Sequence, residues 1–226
     1  MDSTLLISLA IVHFIALMSP GPDFAIIVKL ATQQQRSVAL SCAFGIALAI
    51  LAHTLLSLMG ISLMIRQSEI AYSIVQFVGI SYLAWMGVGA LKAAISQIKA
   101  NKVQKQLRQN TLDSSGEIDD EPQTAPLSNF QGFRIGLLTN MLNPKALIFF
   151  ITLFTVMVPV ETNTLTKAGA TIVLFGLALL WFAFVAIVLS QQKVQGYFKA
   201  IACYIDLGVG VIFIGVSATI AISQLI

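Results

Sequence analysis

The chain contains 226 residues, of which 57% are hydrophobic and only 10% are charged, and its mean hydropathy is +0.88. Soluble domains carry about 25% charged residues, so this composition excludes an ordinary soluble protein and indicates an integral membrane protein. The net charge of +3 is small, and the basic residues lie mainly between apolar segments. They therefore indicate membrane orientation, and we expect no nucleic-acid partner.

Six apolar segments are long enough to cross a bilayer, because a transmembrane helix needs about 20 mostly apolar residues. In chain order they lie at residues 5–31, 38–64, 70–91, 133–158, 168–190 and 204–224. The sequence therefore predicts an all-α integral membrane protein with six transmembrane helices embedded in a lipid bilayer.

Spans one and four each contain a proline next to polar residues, in Ser19-Pro20-Gly21-Pro22-Asp23 and in Asn140-Met141-Leu142-Asn143-Pro144-Lys145. A proline inside a helix cannot donate an N–H and clashes with the carbonyl four residues earlier, so Pro22 and Pro144 predict two broken spans. Broken helices at membrane depth occur only inside protein or along watery cavities, and in transporters they form the substrate site.

The polar segment at residues 93–130 separates spans three and four, and it is basic first and then acidic. It has too few apolar residues to form its own core, so we predict a flexible cytoplasmic linker. The chain then divides into a first three-helix repeat at residues 1–92, the linker, and a second three-helix repeat at residues 131–226.

Two matching pairs of motifs indicate an internal duplication. Phe44-Gly45-Ile46-Ala47-Leu48 in span two resembles Phe175-Gly176-Leu177-Ala178-Leu179 in span five, and Pro22 in span one corresponds to Pro144 in span four. Because each repeat has three spans, the second must insert upside down relative to the first. Inverted repeats place the site near the midplane and allow alternating access by rocking one half against the other.

The distribution of lysine and arginine predicts the orientation. Connections one, three and five with their flanks carry ten such residues, whereas the opposite side carries only Arg66 and Lys167. Because cytoplasmic connections are enriched in positive charge, we expect a multi-pass protein of the inner (plasma) membrane with both termini outside and the 93–130 linker in the cytoplasm. The ten residues are Lys29, Arg36, Lys92, Lys99, Lys102, Lys105, Arg108, Arg134, Lys193 and Lys199.

The predicted breaks carry complementary chemistry. Asn143 precedes Pro144 as an N-cap would, and the N-terminal end of a half-helix favours a carboxylate. Asn140 lies three residues earlier, so both amides would share one helix face if the helix continued that far. Asp23 and Lys145 each follow a proline, and together they complement the ammonium and carboxylate of an amino acid. The alternative is a structural ion pair that only offsets two buried charges.

Two residues are candidates for coupling transport to protons. Burial opposes ionisation of Asp23, whereas Lys145 and the helix end favour it, and a carboxyl group under such opposing influences is the leading candidate. His53 in span two is the second candidate, because an imidazole titrates near neutral pH. A histidine in a helix bundle more often hydrogen-bonds a backbone group, and that interpretation is favoured for His13.

Three motifs give the chain a family resemblance. The proline motif at residues 19–23, the segment Phe133-Arg134-Ile135-Gly136-Leu137-Leu138-Thr139 leading into the second motif, and Tyr82-Leu83-Ala84-Trp85-Met86-Gly87 in span three resemble the lysine exporter (LysE/RhtB) family. The resemblance covers almost the whole chain. It implies a six-helix inner-membrane exporter of amino acids that exchanges protons, and it leaves room for a homodimer. The chain departs from the family's pattern after span one, at Gln33-Gln34-Gln35-Arg36-Ser37, and at Ala49.

The sequence thus predicts a secondary active exporter of amino acids or close derivatives, with Pro22, Asp23, Asn140, Asn143, Pro144 and Lys145 binding substrate. The alternative is an exporter of metal or other inorganic cations, but the spans offer few of the oxygen, histidine or cysteine ligands that such ions need. We expect no bound metal and no cofactor. An enzyme is not expected, because no HExxH or GxSxG motif occurs in the spans.

Overall fold

The computed structural model describes residues 1–19, 21–110, 125–159 and 161–223, and its described part is all-α, as predicted. Several of the helices begin where a side chain caps the first free N–H groups: Asp2 accepts from the Leu5 N–H, Ser128 from Gln131 and Asn163 from Thr166. The helices are α1 (Ser3–Met18), α2 (Pro22–Gln33), α3 (Arg36–Gln67), α4 (Glu69–Asn110), α5 (Asn129–Met141), α6 (Pro144–Met157), α7 (Thr164–Leu189) and α8 (Gln192–Ser223).

Four helices contain an unbroken stretch long and apolar enough to cross a membrane, at Arg36–Gly60, Ser73–Lys99, Thr164–Leu189 and Cys203–Ile222. The other two spans are bent pairs. Helices α1 and α2 meet at 58°, and α5 and α6 meet at 59°. Counting each pair as one span gives six, so the predicted spans and the breaks at Pro22 and Pro144 are confirmed.

The helix of span three, α4, is longer than predicted. Its apolar part ends near Lys99, but α4 continues to Asn110 and so occupies the first part of the predicted linker at 93–130. Residues 93–110 are rich in Ala, Lys, Gln, Leu and Arg, which favour helices in water as well as in lipid. The prediction considered only the shortage of apolar residues. Residues 111–124 of the linker lie outside the described residues.

Glycines set the closest contacts between helices. Gly45 on α3 and Gly132 and Gly136 on α5 lie so close to the partner helix that an added Cβ would collide with its backbone. Gly87 on α4 and Gly210 on α8 face each other in the same way, each within 2.9 Å of the other's carbonyl oxygen as measured from such a Cβ. Small residues at these positions let helices pack through their backbones.

The remaining helices cover these two pairs. Helix α3 packs against α7 as well as α5, and α4 packs against α6 as well as α8. Large side chains such as Ile46, Phe154, Phe182 and Phe213 are fully buried between the helices. Large apolar side chains also cover the outer faces, as expected where lipid is the solvent. They include Ile7, Leu56, Phe77, Leu180 and Val211.

Candidate functional site

The first break lies between Met18 and Pro22. Helix α1 ends at Met18, Gly21 is the N-cap of α2 and provides no side-chain cap, and Pro22 occupies the first helical position. Proline is tolerated there because its missing N–H would have no intrahelical partner. The indole Nε1–H of Trp181 on α7 donates to the Leu17 carbonyl oxygen at 3.1 Å. One of the carbonyls exposed by the break is thereby satisfied within the protein.

The second break lies between Met141 and Pro144 and carries its own cap. The Asn143 side-chain oxygen accepts from the Lys145 N–H at 3.0 Å, and Pro144 takes the first position of α6. The N-cap predicted for Asn143 is confirmed. His53 Nε2 lies 3.2 Å from the Asn140 carbonyl oxygen. Because a carbonyl only accepts, this nitrogen carries the proton and donates, so His53 supports the end of α5.

Polar side chains of each break form hydrogen bonds to the other break. Asp23 Oδ2 accepts from the side-chain amides of Asn140 at 3.0 Å and Asn143 at 3.2 Å. Lys145 Nζ donates to Ser19 Oγ at 3.1 Å. Since the cap fixes the Asn143 oxygen toward Lys145, its amide nitrogen necessarily points to Asp23. The two broken spans are therefore joined by three hydrogen bonds between side chains.

The polar groups at the breaks can form hydrogen bonds in addition to these three. Asp23 and Lys145 are only partly buried, and their charges attract each other. The second carboxylate oxygen, Asp23 Oδ1, is buried and has no hydrogen-bond partner among the described residues. The Asn140 side-chain oxygen is in the same situation. Both atoms can accept hydrogen bonds from a ligand.

A cavity of about 60 Å³ lies between the breaks. Its lining includes most of the predicted site, namely Pro22, Asp23, Asn140, Asn143 and Lys145, together with Ser19, His13, Phe149 and Phe150. Pockets that hold small ligands are typically about 300–1,000 Å³, so this cavity is too small for an amino acid in the conformation described. Pro144 does not line it and faces a neighbouring, larger cavity instead.

Two histidines flank the same phenylalanine beside this cavity. The rings of His13 and Phe150 are 5.5 Å apart, and those of His53 and Phe150 are 6.0 Å apart and nearly parallel. His13 Nε2 also lies 3.2 Å from the Leu174 carbonyl oxygen on α7. Both histidines thus hydrogen-bond helix backbone, as expected for His13. His53 also lies near Asp23, the candidate proton-binding group.

Sequence reasoning missed three contributors to this region. Ser19 belongs to the first motif, but nothing in the motif indicates that its hydroxyl accepts from Lys145. Trp181 and Asp206 lie far away in the sequence, on α7 and α8. The structure buries Asp206 along the larger cavity that also contains Lys145. Only the presence of an acid inside an apolar span marked it beforehand.

Among the described residues, no group of three or more His, Cys, Asp or Glu side chains could hold a metal ion. The chemistry available at the breaks is instead one carboxylate, one ammonium, two amides and a hydroxyl. These groups bind small polar solutes through hydrogen bonds and charge.

Six helical spans, two of them broken and joined by polar side chains around a cavity, are the architecture of a membrane transporter. The family model described as LysE type translocator matches residues 14–224. The chain belongs to the LysE type translocator family. It is therefore a multi-pass membrane transporter rather than an enzyme.

Similar proteins cover nearly the whole chain. It is 30% identical to the threonine efflux protein of Escherichia coli (strain K12), over 97% of this chain and 98% of that protein. It is 24% identical to the leucine efflux protein of Klebsiella pneumoniae subsp. pneumoniae, over 91% of this chain and 89% of that protein. It is also 26% identical to the uncharacterized membrane protein YahN of Escherichia coli (strain K12), over 80% and 73% of the two chains. No solved structure matches the chain.

Proposed function

We propose that this protein is a secondary active exporter of amino acids or close derivatives that works by alternating access. Two kinds of observation support the proposal. The family consists of translocators, and similar proteins along the full length are named for the efflux of threonine and of leucine. The observation that carries the mechanism is the joining of two broken spans through Asp23 and Lys145 around one cavity.

The substrate binds by replacing interactions that the protein makes with itself. Its ammonium group binds Asp23 Oδ1, which is buried and has no partner among the described residues. Its carboxylate draws Lys145 away from Ser19 and lies near the start of α6, where helix N–H groups favour negative charge. Asn140 and Asn143 hold the other oxygen of Asp23 and so fix the carboxylate in place.

The size of the cavity supports alternating access. At about 60 Å³ it cannot contain an amino acid together with these bonds, so the spans must separate for substrate to enter. Breaking the bond between Lys145 and Ser19 is the local event of that opening. The conformation described then corresponds to the closed, substrate-free stage of the cycle.

Proton exchange follows from competition at Asp23. A proton and a substrate ammonium both neutralise the same carboxylate, so binding of one favours release of the other. Moving one charge across the membrane potential supplies about 2.3 kcal/mol per 100 mV, which can drive export. Asp23 is the proposed proton carrier. His53, whose Nε2–H donates to the Asn140 carbonyl oxygen, is the second candidate.

The remaining sequence predictions belong to the same proposal: inverted repeats at 1–92 and 131–226, termini outside the inner membrane, a cytoplasmic linker and a homodimer. One feature of the structure supports the repeats. At each break a carbonyl accepts from a ring N–H on the second span of the other repeat: Leu17 from Trp181 on span five, and Asn140 from His53 on span two. Spans two and five correspond in the proposed duplication.

Transport by purified protein in liposomes tests the proposal. A panel of labelled amino acids that includes threonine and leucine, and a panel of divalent cations, are offered under an imposed pH gradient. We expect transport of at least one amino acid, driven by the gradient. Transport of metal cations and of no amino acid would instead establish the alternative function.

The same assay tests the assigned site. Asp23→Asn and Lys145→Met should each lower the transport rate about 30-fold or more, because losing one member of a buried charged contact costs about 2–5 kcal/mol. Glu161→Gln and Lys29→Met, which change exposed residues of the same charge, serve as matched controls and should transport normally. Normal transport by both site variants would refute the assignment while leaving the fold intact.

A further inference from the structure

A second cavity, of about 430 Å³, lies beside the one between the breaks. Its volume is within the range of about 300–1,000 Å³ that is typical of ligand pockets. It is lined along α4 from Tyr82 to Gln97 and by Pro144, Lys145 and Asp206. We call it the vestibule. Gln97 is near the end of span three that the positive charges assign to the cytoplasm, so the vestibule lies on the side from which an exporter takes its substrate.

Asp206 is a buried acid that the proposed mechanism does not use. Only 2% of its surface is exposed, and its Oδ2 atom is buried with no hydrogen-bond partner among the described residues. A charged residue inside a span is costly, and it normally serves a partner or a ligand pathway. Lys145 interacts electrostatically with both Asp206 and Asp23. The charge of Lys145 therefore acts on both acids.

Lys145 and Ser19 form the partition between the cavities. Both residues line the 60 Å³ cavity and the vestibule, and the 3.1 Å bond from Lys145 Nζ to Ser19 Oγ joins them. A solute in the vestibule meets this bond before it can reach Asp23. The position of Lys145 is supported by Tyr82, whose hydroxyl donates to the Lys145 carbonyl oxygen at 3.3 Å.

The vestibule also has an aromatic wall. The rings of Tyr82 and Trp85 are 5.6 Å apart and line the cavity, and Trp85 is largely exposed. Aromatic faces attract ammonium groups, and a carboxylate beside them adds the opposite charge. Acid, base and aromatic rings in one cavity match the ammonium and carboxylate of an amino acid.

We propose that the vestibule is a separate entry site, in which Asp206 binds the ammonium group of the substrate before the bond between Lys145 and Ser19 opens. The proposal rests on the function proposed above. In the entry site the substrate carboxylate pairs with Lys145. The bond between Lys145 and Ser19 then breaks while Lys145 stays paired with the substrate carboxylate, and this opens the partition. The ammonium group of the substrate passes from Asp206 to Asp23.

Tryptophan fluorescence tests this site directly. The chain has two tryptophans, and Trp181 is retained because its indole donates to the Leu17 carbonyl at the first break. The wild type and Trp85→Phe are both titrated with an amino acid that the wild type transports, and the difference between their signals reports Trp85 in the vestibule wall. We expect a saturable change in Trp85 emission that persists when Asp23→Asn is added. Adding Asp206→Asn instead should weaken binding at least tenfold, and Asp206→Glu should restore most of it.

The ligand controls identify the recognised group. The N-acetyl derivative of the same amino acid, which lacks the ammonium charge, should bind at least tenfold more weakly to the protein that retains Asp206. Unchanged binding in the Asp206→Asn variant, or complete loss in the Asp23→Asn variant, would overturn the entry site. If the wild type transports no amino acid, the proposed function itself fails. Transport without a signal that depends on Asp206 refutes the entry site alone.

Discussion

The two breaks bend their spans almost equally, by 58° and 59°, but they are stabilised in different ways. At the second break, Asn143 caps α6 with its own side chain. At the first break, the N-cap is Gly21, which has no side chain to offer. The acid of the first break takes both of its described hydrogen bonds from amides of the second.

Two breaks with nearly the same bend angle can therefore differ in how far each depends on contacts with the other. The second break is held by its own cap, by His53 and by the close packing of α5 on α3. The first break depends on the second for the donors that hold Asp23. We therefore expect the second break to be the fixed partner and the first break to rearrange when substrate binds.

The largest effect should come from Asn143, which serves both breaks. Asn143→Ala removes a helix cap and a donor to a carboxylate, and it should lower the free energy of unfolding by about 2–5 kcal/mol. Asn143→Ser retains a cap but is too short to reach Asp23. We expect this variant to recover part of the stability in detergent while transport stays low.

Either of two results would break this comparison. Wild-type stability in Asn143→Ala would show that the second break does not need its cap. Full transport by Asn143→Ser would show that Asp23 does not need the second break.

An intermediate effect is expected where α5 packs on α3. Gly45→Ala would force a methyl group into the backbone of α5 and should cost about 1–3 kcal/mol. Gly176 holds the corresponding place on α7 in the proposed duplication, and no atom of a neighbouring element in the described part of the chain lies within 4 Å of a Cβ there. Gly176→Ala is thus the matched control and should change the thermal midpoint little. Equal midpoints for the two variants would contradict the expectation that Gly45 is closely packed and Gly176 is not.

The smallest effect concerns the missing cap of the first break. A Cβ at Gly21 fits, since its nearest neighbour, Lys145 Nζ, would be 3.7 Å away. Gly21→Ser should exceed Gly21→Ala in the free energy of unfolding by about 1 kcal/mol, because only serine adds a capping oxygen. Chemical denaturation of the two variants measures this difference directly. Equal stability of the two variants would mean that the free N–H groups at the start of α2 already have hydrogen-bond partners.

The sequence was sufficient for features that depend on local chemistry. Apolar length predicted the six spans, proline predicted both breaks, and Asn143 before Pro144 predicted the cap. Each of these follows from helix geometry within a single segment. The amides of Asn140 and Asn143 both donate to Asp23, but the predicted shared helix face is not the reason, because α5 ends at Met141 between them.

Features that depend on how helices rotate against one another were not predictable. Lys145 reaches Ser19, Trp181 reaches Leu17, and Asp206 faces the vestibule, all across large distances in the sequence. Such contacts depend on crossing angles that a single sequence does not specify. The extension of α4 to Asn110 was missed for another reason, since helix propensity rather than hydropathy decides it.

The facing glycines limit where the molecule can move. Helices touching through their backbones, as α3 does with α5 and α4 with α8, cannot slide without a steric clash. These two helix pairs should therefore separate least when the protein opens. Opening is easiest at the first break, which meets the second through side-chain hydrogen bonds.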